Sequence, residues 1–129
     1  MLRWLEKKSE IARVITLVIA IFIFYMSSRT FEGGGGKGVL SYVYHFTIFF
    51  ILAFFLLIAL IKGKLRKEIF FIGIIIAILY GISDEIHQYF VPGRYMDVKD
   101  ILMNSIGIMF AGILYSLLLF RRNNNEFIL

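Results

Sequence analysis

Long apolar runs separated by short charged turns set the pattern of this chain. Val14 to Met26 is apolar except for Thr16, and Val39 to Ile61 is a 23-residue run whose one ionisable residue is His45. Ile69 to Ser83 and Ile101 to Phe120 make the third and fourth runs. Runs of this length match the ~20 helical residues that cross about 30 Å of hydrocarbon. The pattern predicts an all-α integral membrane bundle of four transmembrane helices, at approximately residues 11–28, 39–61, 69–90 and 101–120. Residues 1–129 read as a single membrane domain, with no internal repeat and no room for a soluble domain.

The first run follows a basic head, as a signal peptide does. Tyr25, Met26, Ser27 and Ser28 offer no small-x-small cleavage site, so a retained first helix is expected, with Arg13 reaching back to the surface. Gly33 to Gly36 read as a flexible connector. A phosphate-binding loop would need a Lys-Ser/Thr pair and a soluble strand–helix context, and Lys37 is followed by Gly38.

The third run decides where chemistry belongs. It has 15 uncharged residues, which as a helix cover about 22 Å and fall short of the hydrocarbon core. The helix must therefore continue through Asp84, Glu85, His87 and Gln88, carrying them into the membrane or just under its interface. Pro92 and Gly93 then supply the turn. Gly73, Ala77, Gly81 and Glu85 recur every fourth residue, so a groove of small residues leads to Glu85 and admits a close neighbour. Asp84 and Gln88 share a face, with His87 beside them. Asp97, Asp100, Asn104, Gly107 and Ala111 form a second stripe on the fourth helix, and His45 lies about two turns into the second. Three helices thus direct polar groups at one layer.

Each of these residues also has a plainer use. Asp97 or Asp100 suits a helix N-terminus, Arg94 neutralises nearby carboxylates, His45 and Asn104 suit interhelical hydrogen bonds, His87 suits the headgroup region, and Tyr42, Tyr44, Tyr89 and Tyr95 suit an interfacial belt. Ionisable groups within membrane helices are costly, however, and mark functional sites by default. Glu85 fits a plain use least, because it terminates a packing groove.

Composition narrows the function classes. The chain is 60% hydrophobic and 17% aromatic, with a mean hydropathy of +0.83. The absence of cysteine excludes disulfides, thiolate metal sites and cysteine nucleophiles. The +5 charge does not argue for nucleic acid, because Lys and Arg cluster at the ends of apolar runs, where they meet lipid headgroups. Ten of the fourteen lie in the amino-terminal head, the second connection and the tail. The positive-inside rule then places both termini in the cytoplasm and the Ser83–Gly107 motif outside.

That motif resembles the VanZ-like family of small bacterial membrane proteins. The family pattern runs Asp-Glu-x-x-Gln, an aromatic residue, a Pro-x-Arg-like turn, two Asp, then Asn-x-x-Gly. It falls here on Asp84, Glu85, Gln88, Phe90, Pro92, Arg94, Asp97, Asp100, Asn104 and Gly107. His45 matches a histidine in the preceding long helix, while Asp97 stands where the family usually has Ser. The resemblance implies a four-helix envelope protein. It also implies a part in teicoplanin-type glycopeptide resistance, with which the founding member is associated.

The leading expectation is a binding protein for an amphiphilic or lipid-linked ligand, such as a cell-wall precursor or lipoglycopeptide. Asp84, Glu85, His87, Gln88, Arg94, Asp97, Asp100 and Asn104 are its candidate binding residues. Arg94 would pair with phosphate or carboxylate. An alternative is a hydrolase or transferase acting on a lipid headgroup or cell-wall precursor. Glu85, Asp84, Asp100 and His45 are then the candidate catalytic groups, and Arg94 steadies an oxyanion. A divalent cation is compatible with that reading, with His45, Asp84, His87 and Asp100 as candidate ligands, although no metal-binding string such as His-Glu-x-x-His is present. A structural network holding the helices together is the third expectation.

Overall fold

The computed structural model describes residues 1–30 and 38–126. All regular secondary structure among them is α-helical: α1 Leu2–Lys7, α2 Ser9–Ser27, α3 Val39–Ile61, α4 Lys67–Tyr89 and α5 Val98–Glu126. Four of these, α2 to α5, are long and apolar enough to cross a membrane. The glycine connector Gly33–Gly36 lies outside the described residues.

Two boundaries differ from the hydropathy pattern. The charged head is itself a short helix, parted from α2 by a break at Lys8 (φ −104°, ψ 55°), and α2 starts at Ser9 rather than near residue 11. The last helix spans Val98–Glu126 rather than 101–120. Hydropathy marks where an apolar environment ends, whereas a helix continues into water as long as its backbone bonds are made. The third helix stands close to expectation and does carry Asp84, Glu85, His87 and Gln88 on regular helix.

The centre of the bundle is α3, which packs against α1, α2, α4 and α5, while α4 also meets α2 and α5. Phe49, Leu52, Ala53, Leu57 and Ile58 of α3 are buried, with Ala77 of α4 and Ile108, Ala111 and Tyr115 of α5. The outer faces are apolar as well: Leu17, Val18 and Ile21 on α2, Leu79 on α4, and Ile113 and Leu117 on α5 are all exposed. Apolar side chains on both the inner and outer faces of spanning helices fit a bundle surrounded by lipid.

The small-residue stripes set the helix separations. A Cβ at Gly73 would meet Leu57 at 3.0 Å, and one at Gly81 would meet Phe49 at 3.2 Å and Asn104 at 3.3 Å. At Gly107 it would come within 2.3 Å of the Phe46 carbonyl oxygen, so α5 lies against the bare backbone of α3.

One end of the bundle is closed by a clamp that hydropathy does not suggest. Glu6 is buried, and its carboxylate accepts from Tyr115 Oη at 3.0 Å and from Arg122 Nη1 at 2.5 Å. Arg122 Nη2 donates to the Gly63 carbonyl at 2.5 Å. Gly63 has φ +81°, and an added Cβ would sit 2.8 Å from Glu6 Oε2, so a side chain is disfavoured twice. The amino-terminal head, the α3–α4 turn and the far part of α5 therefore share one end of the bundle. The Ser83–Gly107 motif occupies the other.

Candidate functional site

At the motif end, two polar networks meet across α4. Successive residues on a helix point about 100° apart, so Asp84 and Glu85 face different neighbours. Asp84 turns to α2. The Ser27 hydroxyl donates to its Oδ1, and Gln88 Nε2 donates to its Oδ2 at 3.0 Å and to Ser27 Oγ at 3.0 Å. Gln88 is oriented in turn by Arg94, whose Nη2 donates to Gln88 Oε1 at 2.5 Å while its Nη1 donates to the Arg29 carbonyl at 3.2 Å. His87 also faces α2, with Nε2 3.0 Å from Ser28 Oγ and its ring 4.6 Å from that of Phe24.

Glu85 turns the other way, toward α3 and α5, and is 0% exposed. Its Oε2 accepts the Asp97 main-chain N–H at 3.1 Å, and its Oε1 accepts from Gln88 Nε2 at 3.2 Å and lies 3.7 Å from His45 Nδ1. His45 is 2% exposed. Its Nδ1 is 2.9 Å from Asn104 Oδ1, and its Nε2 is 3.5 Å from Asp100 Oδ2. Asn104 Nδ2 reaches the Gly81 carbonyl at 3.5 Å, and Ser41 Oγ reaches Asp100 Oδ2 at 3.5 Å. Asp97 caps α5, because its Oδ1 accepts the Lys99 N–H at 2.9 Å. The buried atoms Tyr44 Oη and Asp100 Oδ1 have no hydrogen-bond partner among the described residues.

A cavity of about 290 Å³ opens beside these groups. Met26, Ser27, Leu40, Ser41, Tyr42, Tyr44, His45, Gln88, Gly93, Arg94, Tyr95, Asp97 and Asp100 line it. Of the residues expected to bind, Gln88, Arg94, Asp97 and Asp100 reach the cavity wall, and His45 joins them. Asp84, Glu85 and Asn104 stand behind that wall as its hydrogen-bonded support. The four metal candidates divide: His45 and Asp100 lie together with Glu85, whereas Asp84 and His87 belong to the α2 side.

Ser27, Ser41 and Tyr44 carry no mark of function in their sequence context. Ser41 precedes His45 by one helical turn and so shares its face, a signal open to spacing. Ser27 ends the first apolar run level with the motif, and its pairing with Asp84 spans 57 residues without a local cue.

Neither a curated protein nor a solved structure matches the chain. A family model described as VanZ/LLP1 matches residues 12–120, a stretch that contains every residue of both networks. With four membrane-spanning helices and that match over most of its length, this multi-pass membrane protein belongs to the VanZ/LLP1 family.

Proposed function

We propose that the protein is an envelope protein, formed by one membrane domain, that binds an amphiphilic or lipid-linked ligand in the cavity at the motif end. In this reading it limits access of teicoplanin-type glycopeptides to their target. The cavity carries the reading, since apolar Met26 and Leu40 and three tyrosines share its wall with Arg94, Asp97 and Asp100. Such a mixed wall suits a ligand with an acyl or aromatic part and a polar head. The volume of about 290 Å³ is at the small end for ligand pockets, which run from roughly 300 Å³ upward. It therefore suits a headgroup, a sugar or a short peptide end rather than a whole glycopeptide. Arg94, already held by Gln88 and Arg29, is placed to pair with a phosphate or carboxylate.

The test is susceptibility to teicoplanin and to vancomycin in a sensitive Gram-positive host carrying empty vector, the wild-type chain or Arg94→Gln, with expression matched by blot. Protection by the wild type that is lost in the variant is the expected result. Equal susceptibility of all three strains at matched expression would remove the resistance reading.

The uneven distribution of Lys and Arg supports a cytoplasmic location for the clamp end and an extracytoplasmic one for the cavity. The chain lacks cysteine, so single cysteines report without background. In intact cells, Lys99→Cys should react with an impermeant thiol reagent and Lys64→Cys only after lysis. The reverse pattern would invert the topology.

A further inference from the structure

The hydrogen-bond network around His45 fixes which of its nitrogens carries a proton. Asn104 Nδ2 faces the Gly81 carbonyl, an acceptor, so Asn104 Oδ1 is the atom that faces His45 Nδ1 at 2.9 Å. Nδ1 must then carry the hydrogen and donate it, which leaves Nε2 of a neutral ring as a lone pair. That lone pair points at Asp100 Oδ2, 3.5 Å away and also an acceptor. The second oxygen, Asp100 Oδ1, is buried without a hydrogen-bond partner among the described residues, on a side chain that lines the cavity and belongs to a residue only 9% exposed. Glu85 completes the group with no exposure at all. Two carboxylates and the imidazole thus converge in a buried place; the donors that reach them, Ser41 on Asp100 Oδ2 and Gln88 and the Asp97 N–H on Glu85, are uncharged and leave Asp100 Oδ1 unmet, so the group favours a cation.

We infer that His45, Glu85 and Asp100 form a binding site for one divalent transition-metal cation, of the Zn²⁺ or Mn²⁺ type, at the floor of the cavity. One ligand atom from each residue can be chosen so that all three lie within 4.8 Å of one another. Ligands bound at 2.0–2.5 Å on opposite sides of an ion stand roughly 4–5 Å apart, which matches these separations. Asp100 already faces Nε2, whereas Glu85, whose Oε1 is 3.7 Å from Nδ1, must turn toward Asp100 to join the ion. One imidazole nitrogen with two carboxylate oxygens is a borderline donor set, which suits these ions better than Ca²⁺ or Mg²⁺. Asn104 plays the outer part expected for a ligating histidine, accepting its other N–H and fixing the ring. Three protein ligands leave further coordination positions open, and both His45 and Asp100 border the cavity. The three ligands come from α3, α4 and α5, so the ion also joins three helices.

The experiment uses the full chain purified in detergent through a tag without histidine, stripped with chelator and dialysed. Zn²⁺ and Mn²⁺ are titrated by calorimetry, and Co²⁺ by visible absorption, where an ordered site gives d–d bands. One ion per chain is expected. Asp100→Asn and His45→Gln should each weaken binding by more than about 100-fold, since even an outer-shell partner is worth 10–100-fold. Asn104→Leu should fall within that 10–100-fold range, and Glu68→Gln, exposed near the start of α4 at the opposite end of the bundle, should bind as the wild type does. Circular dichroism and gel filtration confirm that each variant is folded. If one of the two ligand variants fails to fold, the other decides. No stoichiometric binding by folded wild type, or unchanged binding in a folded ligand variant, overturns the site. Neither outcome touches the cavity reading, because no lipid or antibiotic enters the measurement.

Discussion

Gly107→Ala is expected to destabilise the bundle by about 3 kcal/mol, toward the upper end of the cost of overpacking. The new methyl would lie 2.3 Å from the Phe46 carbonyl oxygen, 3.1 Å from its carbon and 3.2 Å from the Phe50 nitrogen. These are atoms of the α3 backbone, which can retreat only if the two helices separate. Separation at Phe46 would also move His45, the preceding residue, away from Asn104. Gly112→Ala supplies the contrast on the same helix. Its methyl would meet Ile74 Cδ1 at 3.1 Å and Phe70 Cζ at 3.1 Å, both ends of side chains that can rotate. A cost of about 1 kcal/mol or less is expected there. Thermal unfolding of the two variants in one detergent checks the difference, and equal midpoints would mean that α3 and α5 are not in backbone contact.

Glu85→Gln should abolish function while making the chelator-treated protein more stable. Asp84, Glu85 and Asp100 are three acidic residues at one end of the bundle, each at most 9% exposed. Removing one buried charge relieves desolvation and the repulsion among these like charges, so a raised stability is expected. Glutamine retains an oxygen for the Asp97 N–H. The position now facing Gln88 becomes a donor, but Gln88 Nε2 keeps Ser27 Oγ and Asp84 Oδ2 as acceptors at 3.0 Å each. What glutamine cannot supply is an anionic oxygen beside His45 and Asp100. A raised unfolding midpoint together with lost protection against teicoplanin would separate the role of the charge from that of the fold. A collapsed fold would instead make Glu85 a structural member of the network.

The spans were legible because a helix that is apolar on every face over membrane length matches the hydrocarbon core and little else. So was the continuation of the third helix through the motif: 15 uncharged residues fall short of that core, and α4 does run on to Tyr89. Four-residue spacing found the stripes of Gly73, Gly81 and Gly107 that allow close approach. The partition of the polar residues was less accessible. Asp84 and Glu85 are adjacent in sequence, and only knowledge of which helix lies on which side of α4 assigns one to Ser27 and the other to His45. Grouping Asp84 and His87 with His45 and Asp100 as metal ligands rested on their common layer in the bundle, which does not tell one side of α4 from the other. Grouping Glu85 with His45 and Asp100 follows from proximity across helices. The Glu6–Arg122 pair was hidden for the same reason, since both charges look like flanking residues of separate runs.

The clamp bears on how the molecule is made. Glu6 is synthesised 116 residues before the arginine that pairs with it. While α2, α3 and α4 enter the membrane, its carboxylate waits without that partner, as does the carbonyl of Gly63. Tyr115 and Arg122 arrive together on α5, so both find their places only when that helix docks. A chain stopped at Phe120 would contain nearly all of the apolar sequence and still lack the residue that ties its two ends together. The membrane-inserted but incomplete product would thus hold the Glu6 carboxylate without its cation, inside an end of the bundle that is otherwise rich in lysine and arginine.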